Sequence, residues 1–274
     1  MNDESEACRL CGGVTNYMFT LPVMKCHNVR YFKCTSCKSL QTEWPHWLNN
    51  AYSNPIRYTD TFVADRCLRF PRLTYAIAKL CRISTNCAVI DWGGGNGLMT
   101  RFLRDLGFDA RNYDMYEINT YAGGFDDEPE ISYDIATSFE VLEHMANPKD
   151  ELALIFARNP KIMLMSTCFF EDQDKEWEYL APYSGRHIFF YSTQGLRHIA
   201  AKYGYSAIFS NNLILIYRVS ISKWRRKLIR FTLSNLGQRL TALLLVLFPP
   251  RGRMIEDWRE MRSRVGDVCD DAHA

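Results

Sequence analysis

The sequence has no apolar run long enough to cross a membrane. Its longest apolar stretch is Leu240–Phe248, whereas a spanning helix needs about 20 apolar residues. The first residues are acidic and polar, so no secretory leader is predicted. These two features predict a cytoplasmic protein, and only the C-terminal region described below raises contact with the inner face of a membrane.

The sequence also lacks a strong excess of one charge. Its 33 Lys and Arg residues against 31 Asp and Glu residues give a net charge of +2. The chain as a whole therefore has no bias toward a polyanionic partner. No internal repeat or low-complexity tract interrupts it, and 47% hydrophobic residues with 23% charged residues are typical of a globular protein.

Cysteine, in contrast, is abundant, with ten residues. Four of them form two pairs separated by residues 12–33: Cys8-x-x-Cys11 and Cys34-x-x-Cys37. Because zinc takes four thiolates in a tetrahedron, two such pairs predict a structural zinc ribbon in residues 1–50. Four free or buried cysteines, or a mixed ligand set that includes His27, remain as alternatives.

The distribution of residue types divides the chain into four segments. We predict a zinc-ribbon-like module (1–50), a helical linker or cap (51–86), an α/β core (87–219) and a basic amphipathic C-terminal region (220–274). Short apolar runs alternate with helical patterns in the core, which is typical of an α/β sheet. The predicted strands are 88–91, 110–114, 133–138, 161–167, 205–209 and 213–219, and the predicted helices are 97–106, 148–157 and 193–203. The last two strands are so close that they form an antiparallel hairpin.

The most informative segment is residues 88–97, AVIDWGGGNG. A β-branched run ends at Asp91, and four glycines precede the next helix: Gly93, Gly94, Gly95 and Gly97. Glycine lets the backbone turn sharply and approach a ligand closely, and a helix N-terminus attracts anionic groups. No Gly-Lys-Ser/Thr follows, which excludes a phosphate-binding P-loop. Asp114 ends the next strand, where a carboxylate can accept hydrogen bonds from a ribose, so a dinucleotide-binding fold stays open at this point.

A second segment, residues 133–145 (YDIATSFEVLEHM), narrows the choice. With it, residues 87–219 resemble the class I S-adenosylmethionine-dependent methyltransferases. Asp91 matches the acidic residue of their first motif, and Gly93, Gly95 and Gly97 match its glycines. The resemblance implies a Rossmann-like seven-stranded sheet with an antiparallel last hairpin, and S-adenosylmethionine as the cofactor.

The resemblance also implies which residues contact the cofactor. The turn from Gly93 through Gly94 to Gly97 would enclose the methionine part, and Asp114 would hold the ribose. Phe139 and Glu140, after the fourth strand, would lie beside the sulfonium. The adenine contact would fall near Asp126 or Asp127, where the third strand is poorly defined in the sequence.

Two histidines are candidates for the general base. A methyltransferase must position and deprotonate its acceptor, and histidine suits this role because its pKa lies near neutral pH. The first candidate is His144 in Glu140-x-x-Glu143-His144. This pattern is similar to one in ubiquinone-biosynthesis O-methyltransferases, where it is linked to a divalent metal, and its alternative role is a structural cap of the loop.

The second candidate is His187 in residues 185–192, GRHIFFYS. This segment resembles the HEHLSYFS segment of sugar C-methyltransferases, which also carry an N-terminal four-cysteine zinc module. Gly185 and Arg186 stand where that segment has its first His and its Glu. The resemblance implies that His187 is the base, with Tyr183 or Tyr179 assisting it, and the alternative is a histidine that fixes the loop over the site.

The C-terminal region is basic, with twelve Lys or Arg against three acidic residues between Arg218 and Arg264. Basic residues interleaved with Trp224 and other apolar side chains predict either a peripheral membrane contact through residues 220–264 or a helix packed on the core with a solvated basic face. The same charge suits a phosphorylated or lipid-linked acceptor. Nucleic acid is disfavoured, because residues 1–50 are not strongly basic and no Asn/Asp-Pro-Pro-Tyr/Phe motif follows the fourth strand.

The sequence as a whole predicts an S-adenosylmethionine-dependent methyltransferase that acts on a sugar, nucleotide sugar or glycan. The alternatives are an O-methyltransferase of a small molecule or quinone-type precursor, and a non-catalytic scaffold that retains the fold. The intact glycine turn and Asp114 argue against the scaffold.

Overall fold

A computed structural model describes residues 6–53 and 61–271, with side chains described as far as Arg264. Residues 1–5, 54–60 and 272–274, which fall in the predicted zinc-ribbon, linker and C-terminal segments, lie outside this description. The described residues form two compact units. The first unit combines the residues up to Phe62 with Ser138–Arg218, and the second combines Val63–Thr137 with the residues from Val219 on.

The chain forms ten strands and eight α-helices in its described part. The strands are β1 (Thr15–Val23), β2 (His27–Cys34), β3 (Leu40–Thr42), β4 (Ala88–Trp92), β5 (Asp109–Tyr113), β6 (Ile135–Phe139), β7 (Ile162–Ser166), β8 (Phe189–Phe190), β9 (Ser206–Ser210) and β10 (Leu213–Tyr217). The helices are α1 (Leu48–Ser53), α2 (Val63–Leu80), α3 (Leu98–Asp105), α4 (Pro148–Ala157), α5 (Thr193–Lys202), α6 (Lys223–Leu233), α7 (Asn235–Leu247) and α8 (Met254–Asp271). Within this part of the chain, no helix is long and apolar enough to cross a membrane.

The predicted α/β fold class is confirmed. Six strands form one sheet in the order β5-β4-β6-β7-β10-β9. Strand β4 runs parallel to β5 and β6, whereas β10 runs antiparallel to β7 and β9. This is a Rossmann-like sheet that ends in the predicted antiparallel hairpin.

The number of strands differs from the predicted seven. Where the third strand of the core was expected, between β5 and β6, the described residues form only an isolated parallel bridge from Asn112 to Asp126. Residues 117–130 are rich in Asn, Gly, Asp, Glu and Pro. These residue types are depleted in strands, and the segment forms turns instead.

The first unit contains a second, four-stranded sheet in the order β1-β2-β3-β8. The tight turn between β1 and β2 passes through Met24 and Lys25, which have positive φ angles. Strand β3 pairs with β8, so the N-terminal strands are hydrogen-bonded to a segment far along the chain. Around this sheet lies a core that includes Tyr31, Trp47 and Phe190.

Two helices of the first unit have ends that follow from their sequences. Helix α4 begins with Pro148 and carries Asp150 and Glu151 in its first turn, which suits a helix N-terminus. Helix α5 is capped by Ser192, whose hydroxyl accepts a hydrogen bond from the Gly195 amide. It ends ahead of Gly204, which has a φ of 79° as expected for a glycine beyond a helix C-terminus.

Candidate active site

The glycine turn after β4, in the second unit, has a backbone that requires glycine. Gly93, Gly95 and Gly97 have φ angles of 74°, 58° and 80°, values that side chains with a Cβ rarely adopt. A Cβ on Gly94 would lie 2.0 Å from Oδ1 of Asn112, so this glycine is required by space. The turn leads directly into α3. The first backbone amides of this helix point back toward the turn.

Asp91 lies beneath this turn rather than on its surface. Its carboxylate is buried and accepts hydrogen bonds from the hydroxyls of Thr137 (2.8 Å) and Thr100 (3.0 Å). Burial raises the pKa of Asp91 to about 6, and the two hydroxyls oppose this rise. The sequence did not single out Thr100, Thr137 or Asn112, although polar residues inside apolar strand and helix patterns are the signal that would have indicated them.

The carboxylate of Asp114, just beyond β5, accepts hydrogen bonds from three backbone amides. One carboxylate oxygen accepts from the amide of Gly95 (2.9 Å), and the other accepts from Tyr116 (2.8 Å) and Glu117 (2.9 Å). The carboxylate therefore connects the glycine turn to the loop that follows β5. Large apolar side chains of that loop are exposed: Met115, Tyr116, Ile118 and Tyr121.

The two residues expected near adenine serve local contacts. Asp126 accepts a hydrogen bond from the side-chain amide of Asn119 (2.9 Å). Asp127 accepts one from the hydroxyl of Tyr133 (2.8 Å), and its amide donates to the carbonyl of Asn112. A contact of adenine with Asp126 or Asp127 stays a prediction.

The four predicted cysteines meet in the first unit. Their sulfurs lie within 4.8 Å of one another, with Cys8 and Cys37 3.6 Å apart and Cys11 and Cys34 3.5 Å apart. A tetrahedral site with zinc–sulfur bonds of about 2.3 Å has sulfur–sulfur separations of about 3.8 Å, so the cluster could hold such an ion. His27 packs against His46 and Trp47 and is not a member of the cluster.

Glu140 follows the end of β6 with an unusual backbone, at a φ of 55°. Its amide donates to the carbonyl and hydroxyl oxygens of Ser166, and its carboxylate accepts from Ser166 (2.6 Å) and from Tyr179 (3.2 Å). Phe139, the last residue of β6, directly precedes it. The predicted sulfonium-side residues thus occupy a polar corner of the first unit.

Glu143, His144 and His187 form a second cluster in this unit, and each offers a ligand or proton-accepting atom within 4.8 Å of the others. The Glu143 side chain is 1% exposed, and neither carboxylate oxygen accepts a hydrogen bond. Burial, with the nearby charge of Glu140, raises the pKa of Glu143 to about 7. The two imidazole rings are 5.0 Å apart.

Both imidazoles are oriented by backbone carbonyls. Nδ1 of His187 lies 2.6 Å from the carbonyl of Tyr179, and Nδ1 of His144 lies 3.0 Å from that of Arg186. A carbonyl can only accept, so Nδ1 carries a proton in each ring, and in a neutral ring Nε2 then carries the lone pair. Burial, followed by the neighbouring His144, lowers the pKa of His187, which keeps this ring neutral.

Two tyrosines were expected to assist His187, and they lie in different surroundings. The Tyr179 ring packs 4.7 Å from the His187 ring, and its hydroxyl contacts Thr167 and Glu140. Burial raises the pKa of Tyr179 well above its ordinary value, so it remains protonated. Tyr183, in contrast, is 60% exposed.

Residues near the N-terminus, both inside and outside strands, hold the segment that carries His187. The Arg9 guanidinium donates to the carbonyl of Ile188 (2.6 Å), and the Trp47 indole donates to that of Gly185 (2.8 Å). Ser192 donates to the carbonyl of Cys37, one of the four cluster cysteines. With the β3–β8 pairing, these contacts fix the backbone on both sides of His187.

The chain is similar to known methyltransferases in sequence profile and in fold. A family profile described as a methyltransferase domain matches residues 59–208. No characterised protein matches the chain in sequence. Among solved structures, a methyltransferase of calicheamicin biosynthesis in an SAH-bound form is 12% identical at a TM-score of 0.43, covering 63% of this chain and 59% of that chain.

Two further structures are similar at comparable levels. Magnesium protoporphyrin IX methyltransferase from Synechocystis PCC 6803, with bound SAH, is 12% identical at a TM-score of 0.40, covering 62% of this chain and 90% of that one. A 1,6-didemethyltoxoflavin-N1-methyltransferase from Burkholderia thailandensis is 14% identical at a TM-score of 0.44, covering 73% and 97%.

Proposed function

This chain belongs to the methyltransferase-domain family and is an S-adenosylmethionine-dependent methyltransferase, and we propose that its acceptor is a sugar, nucleotide sugar or glycan. One observation carries the acceptor class. The four-cysteine module and the segment of His187, the two features that resemble sugar C-methyltransferases, are hydrogen-bonded to each other in one unit. A small-molecule O-methyltransferase would need no such module, whereas a module that holds the acceptor-side histidine has a direct role.

The cofactor proposal rests on the second unit. The turn from Gly93 to Gly97 encloses the methionine part, and the exposed face of Asp114 takes the ribose hydroxyls. Asp126 or Asp127 contacts the adenine, and the exposed Met115 and Tyr116 add apolar surface in the loop after Asp114. Calorimetric titration with S-adenosylhomocysteine tests this assignment, and a scaffold that only retains the fold would give no binding heat.

His187 is the proposed general base. Bound S-adenosylmethionine supplies an electrophilic methyl group on a sulfonium. Nε2 of His187 accepts the proton of the acceptor group, whose lone pair would then be free to take the methyl group that the bound cofactor would supply. Because its Nδ1 proton is held by the Tyr179 carbonyl, the ring presents Nε2 without rotating. Glu143 then lies beside the protonated ring and stabilises its charge.

His187→Ala tests the base, with the exposed His198→Ala as the matched control. Removing a general base lowers turnover by about 100-fold or more, while affinity for S-adenosylhomocysteine should survive and His198→Ala should behave as the parent. Unchanged turnover in His187→Ala would remove it from the mechanism. Metal content is measured on both variants, because loss of a bound ion from His187→Ala alone would show that His187 is a metal ligand instead.

The four cysteines are the proposed ligands of one structural zinc ion. The Cys8 thiol, as a hydrogen-bond donor, lowers the pKa of Cys37 to about 5, so a thiolate is already favoured in the cluster. Cys34→Ser should lose zinc, and the exposed Cys26→Ser should keep it. Since the module holds the His187 segment, Cys34→Ser should also reduce turnover. An intact protein with no zinc by elemental analysis would refute the assignment.

The acceptor class is tested directly by transfer of a labelled methyl group. Nucleotide sugars, oligosaccharides and quinone precursors are offered in parallel to the parent protein and to His187→Ala. Label in the sugar compounds, dependent on His187, supports the proposal. Label confined to the quinone precursors would identify an O-methyltransferase of small molecules.

A further inference from the structure

The helices α6 and α7, in the second unit, expose a large apolar face. On α7, the exposed apolar residues recur at helical spacing and so lie on one side: Leu236, Leu240, Leu243, Leu244 and Leu247. Val246 and Phe248 beside them are 67% and 74% exposed. On α6, Trp224, Leu228 and Phe231 form a shorter exposed row at the same kind of spacing.

The polarity of α7 is inverted relative to an ordinary surface helix. Its inward side holds Gly237 and Gln238, and the Gln238 amide donates to the carbonyl of Leu233 (2.9 Å) while accepting from Arg69 (3.2 Å). The leucines therefore point away from the unit that the helix packs on. Contiguous exposed apolar surface of this kind marks an interaction site.

The charge around this face identifies the partner. No acidic residue occurs between Val219 and Ile255. Exposed cations flank the apolar rows: Lys223, Arg226, Lys227, Arg230 and Arg239. A second copy of this face would bring like charges together, whereas an anionic lipid surface offers both opposite charge and an apolar interior.

We propose that α6 and α7 form a docking surface for an anionic lipid bilayer. The exposed leucines enter the boundary between headgroups and acyl chains, and the flanking lysines and arginines contact the anionic headgroups. Trp224 and Phe231 lie where interfacial aromatic residues are favoured. This inference is independent of the acceptor and concerns where the enzyme works rather than what it methylates.

Co-sedimentation of the full chain with vesicles tests the proposal. Vesicles of phosphatidylcholine alone are compared with vesicles of phosphatidylcholine and phosphatidylglycerol in equal amounts. We expect binding to the anionic vesicles only, and less binding at high salt because the Debye length shortens. Equal binding to both vesicles, or to neither, would overturn the proposal.

Three variants separate the apolar and charged contributions. The double variant Leu243→Ser with Leu247→Ser should lower vesicle partition more than tenfold, since it removes two exposed apolar side chains that lipid binding would bury. Arg226→Ala with Lys227→Ala should lower it about 25-fold, because each cation near an anionic surface contributes about fivefold. Leu154→Ser, at an exposed leucine of α4, is the matched control and should bind as the parent.

Light scattering on the same proteins tests the alternative that a second copy of the chain binds this face. Near-ultraviolet circular dichroism first establishes that each variant is folded. A concentration-dependent dimer that the Leu243/Leu247 variant abolishes, with unchanged vesicle binding, would assign the face to a second copy and refute the lipid proposal.

Discussion

Replacing Glu143 by glutamine should stabilise the protein at alkaline pH and leave its stability almost unchanged in mild acid. The Glu143 side chain is buried in the first unit, and neither carboxylate oxygen has a hydrogen-bond partner. A glutamine of nearly the same shape carries no ionisable proton. The substitution therefore isolates the free energy of placing a carboxylate charge at this position.

The size and sign of the effect follow from the pKa. Burial raises the pKa of Glu143 from 4.5 to about 7, so between these pH values the unfolded chain releases a proton that the folded chain retains. The free energy of unfolding falls as the pH rises through this window, and the full penalty is present above pH 7. The displacement corresponds to about 3 kcal/mol, and Glu143→Gln should recover up to that amount at pH 8.

Urea unfolding of parent and variant at pH 5 and pH 8 measures this difference. Comparing the two proteins at each pH cancels the titration of groups that do not interact with Glu143, including the cysteine thiols of the four-cysteine cluster. The exposed Glu176→Gln serves as the control and should show no pH-dependent gain. If Glu143→Gln stabilises equally at both pH values, or not at all, the carboxylate does not carry the penalty assigned to it.

Three further predictions concern the second unit. Gly94→Ala places a Cβ against Asn112 and Asp91, so it should destabilise the fold by about 1–3 kcal/mol and weaken S-adenosylhomocysteine binding in calorimetry. Gly123→Ala is the control, because its Cβ would meet nothing closer than 3.5 Å, and it should change neither quantity. Arg104→Met removes the bidentate partner of the buried Asp257, which keeps Arg101 at 2.7 Å, and should cost about 1–3 kcal/mol in urea unfolding. The exposed Arg259→Met should cost nothing, and an unchanged midpoint in Arg104→Met would contradict the importance of this ion pair. Thr137→Val removes a hydrogen bond to Asp91 and raises the pKa of that buried carboxyl further, so the loss of stability should be larger at pH 8 than at pH 5, and an equal loss at both would disagree with this reasoning.

Local signals explain why much of the fold could be predicted from the sequence. Helix α4 has the predicted bounds because Pro148 and the acidic first turn mark its start independently of tertiary structure. The hairpin of β9 and β10 follows from a connection too short for any other geometry. The glycine turn after Asp91 was recognisable because its backbone conformation restricts the residue type at each position. The division into four segments and the roles of the site residues remain predictions.

Features that depend on distant residues could not be predicted in the same way. The two-residue strand β8 exists only because β3 pairs with it, and no local pattern indicates that partner. Glu143 is buried although glutamate is usually exposed, and two of its neighbours, His187 and Ile188, come from a distant part of the chain. The missing seventh strand was expected from the family resemblance, although the turn-forming residues 117–130 argued against it.

The pairing of β3 with β8 has a consequence for any attempt to recombine this enzyme with its relatives. The first fifty residues do not form a separable module, because their backbone and side chains are hydrogen-bonded to residues 185–192. A chimera that takes only the first fifty residues from a relative would lose the hydrogen bonds between these residues and residues 185–192. Both segments should therefore be exchanged together, so that the backbone around His187 keeps its contacts.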